Sequence, residues 1–286
     1  MKIDTRIGII GKGFVGSAVQ FGFSASVGID ADVKVYDKDE SKSTHSFDEV
    51  VNQTDVIFIS VPTPSNIDGS INLDIVVDVL DDINKISNND NIILLRSTAI
   101  PGTTRSLQEK YHKLRIVFNP EFLTERAANY DFINQTRFIL GGGSDDIKKV
   151  SELFRERFGN SISIVETNYE TAELIKYMTN TFFCTKISFL NDMKLLSDKC
   201  GAIWDDAIEG FVRDGRVGHS HLDVPGHDGR YGFGGSCFPK DIQALIKYGE
   251  GLGVDMNVLK GTWKTNLKVR PEKDWEELKG RAIVDE

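Results

Sequence analysis

The segment Gly11-Lys12-Gly13-Phe14-Val15-Gly16 constrains the fold more than any other stretch of the chain. It follows an apolar, strand-like run, Ile7 to Ile10, and opens a stretch of helical character. Its spacing is G-x-G-x-x-G. The first glycine permits a tight turn, the second lets backbone approach a pyrophosphate, and the third lets helix and strand pack closely while the helix N-terminus faces the anion. A second strand-like run, Val33-Lys34-Val35-Tyr36, ends at Asp37, near the distance at which a carboxylate meets a ribose. A carboxylate there accepts hydrogen bonds from both ribose hydroxyls and repels a 2′-phosphate, which favours NAD over NADP. Lys42 lies nearby, either reaching the adenosine side or standing as a solvated surface lysine.

Strand-like runs recur at Val56 to Ser60, Ile92 to Leu95, Ile116 to Phe118, Phe138 to Leu140 and Ile162 to Val165. Segments long enough for a crossover helix, such as Leu73 to Ile86 and Asp145 to Phe158, lie between most of them. The alternation predicts an α/β fold, a Rossmann-type doubly wound parallel sheet covered on both faces. Gly141-Gly142-Gly143 also follows a strand but lacks the dinucleotide spacing and reads as a turn. After Val165 the pattern changes. From about Thr171 to Cys200 there is neither Gly nor Pro, and the spacing predicts one long helix that bridges two subdomains or forms a subunit interface. Further helices are expected at Trp204 to Arg213, Pro239 to Gly249 and Met256 to Asn266, with a Gly-, His- and Asp-rich loop over Asp214 to Gly235. The expected division is a NAD-binding Rossmann domain over 1–168, an all-helical central, dimerisation and catalytic domain over 169–270, and a charged tail over 271–286 that docks weakly or frays.

A chain of 286 residues that is 40% hydrophobic can bury a sizeable core. Its formal net charge of −9 argues against nucleic acid or an anionic membrane surface as partner, though a local Lys and Arg cluster still allows an anionic substrate. Three cysteines, Cys184, Cys200 and Cys237, make no disulfide framework. The N-terminus lacks the pattern of a signal peptide, and no apolar run approaches the roughly 18 residues of a membrane-spanning helix. A cytoplasmic location is the expectation.

The segment Gly232-Phe233-Gly234-Gly235-Ser236-Cys237-Phe238-Pro239-Lys240-Asp241 carries the chemistry. The glycines let a substrate approach the backbone, and Pro239 suits the first turn of a helix. Cys237 then stands at a helix N-terminus, where the dipole and Lys240 favour the thiolate. Asp241 follows one turn on, on the same face. A buried structural cysteine is the competing reading of the residue taken alone.

These motifs, with several others in order, resemble the UDP-glucose/GDP-mannose dehydrogenase family, from Ile7 to about Asn266. The others are Val61-Pro62-Thr63-Pro64; Ser97-Thr98 through Pro101-Gly102-Thr103-Thr104, with its proline displaced by one position; Asn119-Pro120-Glu121-Phe122-Leu123-Thr124-Glu125; Glu173-Leu174-Ile175-Lys176-Tyr177-Met178-Thr179-Asn180; and Asp214-Gly215-Arg216-Val217-Gly218. On the residues alone, Pro120 begins a helix capped by Asn119 that puts Glu121 and Glu125 on one face, and Lys176 and Asn180 lie one helical turn apart. Without the resemblance, the glutamates and Lys176 read as solvated helix faces.

The resemblance implies NAD-dependent, four-electron oxidation of a nucleotide sugar at C6, with UDP-glucose as substrate and GDP-mannose as the competing one. In that chemistry Cys237 forms a thiohemiacetal and then a thioester. Lys176 and Asn180 hold the alkoxide-like oxygen, with Lys176 also the base of the first step. Thr98 and Asp241 position water, and Glu121 is the base in thioester hydrolysis. The implied cofactor contacts are Gly11, Gly13, Phe14, Val15, Gly16, Asp37, Lys42, Thr63, Pro64, Thr98, Glu125 and Lys240. The implied substrate contacts are Glu121, Phe122, Leu123, Glu125, Lys176, Asn180, Gly234 and Arg216, the last from a neighbouring subunit of a homodimer built on the long helix.

Typical family members carry a third, Rossmann-like domain that helps hold the substrate's nucleotide, and the chain ends before such a domain. Two rivals follow: a single-hydride hydroxyacid dehydrogenase, which needs no Cys237, and a non-catalytic protein that binds NAD and a nucleotide sugar. His219, His221 and His227 sit in an Asp-rich loop, but the family chemistry needs no metal, so substrate recognition or loop packing is the expectation there.

Overall fold

Each apolar run becomes a strand of one sheet in the computed structural model, which describes residues 1–88 and 90–285. Glu286, the last residue of the charged tail, lies outside the described residues. The strands are β1 (Lys2–Ile10), β2 (Asp30–Tyr36), β3 (Val56–Ile59), β4 (Ile92–Leu95), β5 (Arg115–Phe118), β6 (Arg137–Gly141) and β7 (Ser163–Thr167). Their order in the sheet is β2-β1-β3-β4-β5-β6-β7. The chain starts in β1 and winds outward in both directions. The order therefore reverses beside β1, where open α/β sheets bind ligands at the strands' carboxyl ends.

Every residue of β3 and β4 is buried, as expected for strands covered on both faces. Alternation sorts side chains to two cores. Ile7, Ile9, Phe58, Leu94 and Val117 face one side with Phe23, Phe132 and Phe154. Those aromatics belong to, or directly follow, the helices α1 (Phe14–Gly22), α5 (Ala128–Ile133) and α6 (Ser144–Phe158). Ile57, Ile59, Ile93, Leu95 and Phe118 face the other side with Val50, Leu80 and Leu107. Those come from α2 (Phe47–Asn52), α3 (Asp74–Ile86) and α4 (Thr103–Lys110).

The sheet is not wholly parallel. β6 runs antiparallel to β5, and β7 is parallel to β6. The β5–β6 connection carries only α5 and one 3₁₀ turn, and a six-residue helix spans about 9 Å, too short to lead the chain back along the sheet. The chain therefore re-enters at the edge where it left. The 15-residue α6 makes the parallel return to β7, with Asp145 and Asp146 in its first turn and Arg155 and Arg157 in its last, each sign at the favourable end of the helix dipole.

α7 (Tyr169–Cys200) is one unbroken helix of 32 residues. Inside it the chain leaves the first compact unit, Met1–Thr63 with Leu73–Lys176, and enters the second, residues 64–72 with the chain from Tyr177 on. The second unit adds α8 (Trp204–Val212), α9 (Phe238–Gly251) and α10 (Asn257–Val269). Its core joins Cys184, Phe233 and Ile242 to Ile187, Phe238, Leu259 and Trp263.

The charged tail, expected to dock weakly or fray, is tied down. Trp275 is 3% exposed, Ala282 is buried, and Ser65 exchanges backbone hydrogen bonds of 2.9 Å with Ala282 and Val284. One large aromatic under an otherwise charged surface supplies the apolar burial that the composition hides. No helix among the described residues is long and apolar enough to cross a membrane.

Candidate active site

The glycine motif does in the first unit what its spacing predicts. Gly11 adopts φ +91°, and a Cβ there would stand 2.7 Å from the Ser60 carbonyl oxygen. A Cβ on Gly16 would lie 2.0 Å from the Gly11 carbonyl oxygen, so the loop and α1 meet with no room for a side chain. Gly13 is different: a Cβ there would meet nothing within 4 Å. It is the N-cap of α1, makes no side-chain cap, and leaves the helix N-terminus open to an anion. Phe14 packs on the core and Val15 is half-buried.

Asp37 accepts from the Lys12 amide at 2.5 Å and the Asp39 amide at 2.9 Å, so its half-buried carboxylate is oriented beside the loop. These residues fit NAD. Lys42 is exposed and 3.4 Å from Asp39, which favours the surface reading of that lysine.

No helix starts at Pro120. Residues 119–124 are extended or irregular, and Glu125 begins a 3₁₀ turn. The Asn119 side chain does not cap. Its amide donates to the Ile139 carbonyl at 2.9 Å and its oxygen accepts from Arg96, so from the end of β5 it ties β6 to the residue after β4. Glu121 and Glu125 therefore do not share a helical face: Glu121 is 7% exposed and Glu125 is exposed.

Glu121 is held from two sides. Lys176, 3% exposed, donates to its carbonyl oxygen at 2.6 Å and to Oε1 at 2.9 Å, and the Leu123 amide donates to Oε2 at 2.7 Å. Phe122 lies under two cations, with Arg137 4.5 Å and Lys176 5.4 Å from its ring centre. A buried amine against a carboxylate can exchange a proton or hold an oxyanion.

Thr98 is half-buried, and its loop is anchored at both ends. Ser97 donates to the Val61 carbonyl at 2.7 Å. Glu173 of α7 accepts from the amides of Gly102 and Thr104 and from the Thr104 hydroxyl, each at 2.7 Å. Glu173 thus caps α4 from another helix. Burial pushes its carboxyl up to about 7 against the pull of those donors. Thr63, also of this unit, is buried.

In the second unit Cys237 is the N-cap of α9, half-buried, with Pro239 in the first turn. Asp241, 1% exposed, accepts from Lys240 at 2.7 Å and from Asn180 at 2.6 Å. The Lys240 amine, expected to act on the thiol, is paired with Asp241, and the Asn180 amide donates one hydrogen bond to the same carboxylate. The other thiols contrast with Cys237: Cys184 is buried, which pushes its thiol up, and Cys200 is exposed. Pro64 is buried in this unit.

The loop before Cys237 is fastened residue by residue. Asn191 accepts from the Gly232 amide at 3.0 Å. Asn266, fully buried, accepts from the Phe233 amide at 2.8 Å and donates to the Phe233 carbonyl at 3.0 Å. Asp274 accepts from the Gly235 amide at 3.3 Å and from Arg270 at 2.6 Å, while Arg270 also reaches Asp228 at 2.6 Å. A Cβ on Gly234 would stand 2.5 Å from Arg270 and from Asp274. The glycine at 234 thus leaves room for the Arg270–Asp274 pair.

Arg216 is a surface residue paired with Asp214, 91% exposed at its side chain. Its loop is gathered by Lys186, which donates to the carbonyls of Val217, Gly218 and Ser220. The His221 ring stacks on Phe183 at 4.0 Å. Among the described residues no three His, Cys, Asp or Glu side chains group as a metal site.

Arg96, Glu173, Asn191, Asn266, Arg270 and Asp274 carried no signal of their own in the sequence. The spacing of 266, 270 and 274 by fours, across the end of α10, is the pattern that marks three of them as neighbours.

Two family models match the chain: the NAD binding domain of the UDP-glucose/GDP-mannose dehydrogenase family over residues 39–158 and its central domain over residues 170–268. A UDP-glucose 6-dehydrogenase of Rickettsia typhi is 35% identical over 240 residues, covering 82% of this chain and 54% of that protein. One from Bacillus subtilis is 34% identical over 230 residues, covering 77% of this chain and 50% of that one. The chain thus spans about half the length of the curated relatives it matches. A solved UDP-glucose dehydrogenase of Pyrobaculum islandicum superimposes with a TM-score of 0.80 at 27% identity, covering 96% of this chain and 71% of that one.

Proposed function

The chain belongs to the UDP-glucose/GDP-mannose dehydrogenase family, and from that premise we propose that it oxidises the C6 alcohol of a nucleotide sugar, UDP-glucose, to the carboxylate in two NAD⁺-dependent steps. The observation that carries the reading is Cys237 at the head of α9, one turn before a buried carboxylate fixed by Asn180 and Lys240.

Bound NAD⁺ supplies a hydride acceptor, once for each oxidation. The chain's own residues do the rest. Lys176 takes the alcohol proton, and with Asn180 it stabilises the oxygen as negative charge builds there. The Cys237 sulfur adds to the aldehyde carbon, which must become tetrahedral before it can lose a second hydride. The thioester so formed is opened by water that Thr98 and Asp241 orient and Glu121 deprotonates. Asp37 and the Gly11–Gly16 loop bind the dinucleotide, and Glu125 orders its nicotinamide side.

We assign a homodimer to the same reading. Met178, Phe182, Phe189, Met193 and Leu196 are exposed along α7 at helical spacing, an apolar stripe that a second copy would cover. Light scattering on the purified chain decides this.

The functional test is NADH formation across a panel of UDP- and GDP-linked sugars. Two NADH per UDP-glucose, abolished in Cys237→Ala, is the expected result. One NADH per sugar, with Cys237→Ala still active, points to single-hydride chemistry. NAD binding without turnover on any sugar points to a binding protein.

A further inference from the structure

Arg96, the first residue beyond β4, is 2% exposed, and its guanidinium is used on one side only. Nη1 donates to Oδ1 of Asn119, while Nε and Nη2 are buried with no hydrogen-bond partner among the described residues. Those two nitrogens form the side-on edge of the guanidinium, the fork that holds a carboxylate through two parallel hydrogen bonds. Asn119 cannot turn to fill it, because its amide nitrogen is held by Ile139 at 2.9 Å. Phe132, with its ring centre 5.8 Å from the guanidinium carbon, offers only a face. Burial pulls the guanidinium down to about 10, and Glu121 is the charge that opposes this.

We infer that Arg96 is a second station for the Glu121 carboxylate, a positioning residue that takes Glu121 off Lys176 and opens the lysine amine to a substrate oxygen. In the present state Glu121 is shared between Lys176 and the Leu123 amide. Rotation about its side-chain bonds exchanges a single contact with the amine for a bidentate pair with the fork. Lys176 stays in place through the Glu121 carbonyl oxygen at 2.6 Å, and the direction that pointed at Oε1 becomes a donor for an alkoxide. Neither end state leaves the carboxylate buried without a cation. The inference rests on the proposed role of Lys176 at the substrate oxygen, but its first test does not depend on turnover.

That test is Lys176→Met, which removes the first station. A crystal structure of the variant should place both Glu121 carboxylate oxygens about 3 Å from Arg96 Nε and Nη2. A Glu121 side chain left in its present orientation, or turned to solvent with the fork still empty, overturns the inference.

Kinetics give the second reading. Arg96→Met should lower kcat with UDP-glucose at least about tenfold and move the KM for NAD⁺ less than about twofold. Arg96→Lys, which keeps the charge but not the fork, should recover part of the loss. Arg96→Met combined with Glu121→Gln should be no slower than Glu121→Gln alone, and losses that multiply refute the coupling. If the wild type oxidises no nucleotide sugar, the proposed function fails and the Lys176→Met structure still decides the role of Arg96.

Discussion

Glu173→Gln isolates a charge that the fold carries at a cost. The carboxyl is fully buried, accepts three hydrogen bonds at 2.7 Å, and titrates at about 7 against an ordinary 4.5. A folded-state value above the unfolded one means that the native protein binds the proton more tightly. Its contribution to stability is therefore complete below pH 4.5 and is lost as pH rises through 7. The difference of 7 minus 4.5, at about 1.4 kcal/mol per pH unit, is about 3 kcal/mol. About 2 kcal/mol of it falls between roughly pH 5.0 and 7.5. Glutamine keeps the shape and has no proton to lose. Subtracting the urea-unfolding free energy of Glu173→Gln from that of wild type at each pH should give a gap that moves in favour of the variant by that amount as pH rises. All three tryptophans, at 204, 263 and 275, lie in the other compact unit, so unfolding is followed by far-UV circular dichroism and by hydrogen exchange at the Gly102 and Thr104 amides. A gap flat across this range, or one that moves the other way, refutes the claim that burial outweighs the three donors.

Four further outcomes follow from the same geometry. Asn266→Ala strips both backbone groups of Phe233 of their partners and should cost about 2–4 kcal/mol, read by thermal melts on tryptophan fluorescence, with faster alkylation of Cys237 as its loop loosens. Iodoacetamide on native protein should label Cys200 and Cys237 and reach Cys184 only after unfolding, as peptide mass mapping would reveal. Gly13→Ala should leave the melting temperature within about 2 °C yet weaken NAD binding in calorimetry. Gly234→Ala should destabilise by about 1–3 kcal/mol, because its Cβ meets Arg270 and Asp274.

The sequence exposes what local chemistry decides. All seven strands were legible because short apolar runs such as Ile92-Ile93-Leu94-Leu95 have no other use in a half of the chain that alternates with helices. The long helix was legible because nothing in it breaks a helix, and Cys237 at a helix head because Pro239 follows it. Asn119-Pro120 misled, since a capping residue before proline is a local signal and here tertiary contacts overrode it. With β4 and β6 on either side of β5, the Asn119 amide gains more by bonding to both than by starting a helix. The reversed direction of β6 was hidden for a related reason: the hydrophobic pattern of a strand is the same read in either direction. Arg96 and Glu173 were silent because a buried charge looks like a surface one until its neighbours are known.

The two glycine-rich segments show how far residue type alone can carry a functional claim. In both, small residues precede a helix, and both read as places where a ligand nears the backbone. An imagined Cβ separates them. At Gly13 it meets empty space, so nothing in the protein's own packing demands a glycine, and the proposed dinucleotide at the head of α1 is what would make use of the room. At Gly232 it would stand 2.4 Å from the Asn266 oxygen, and at Gly234 it would meet the Arg270–Asp274 pair, so the protein's own packing uses the space at both. The loop that presents Cys237 is thereby fastened from behind by residues 266 to 274, and under the proposed chemistry a sulfur held that way would have little positional freedom left to lose. The charged stretch after α10, which by composition looks expendable, holds in place the loop that carries Cys237, and the proposed function would make that its use.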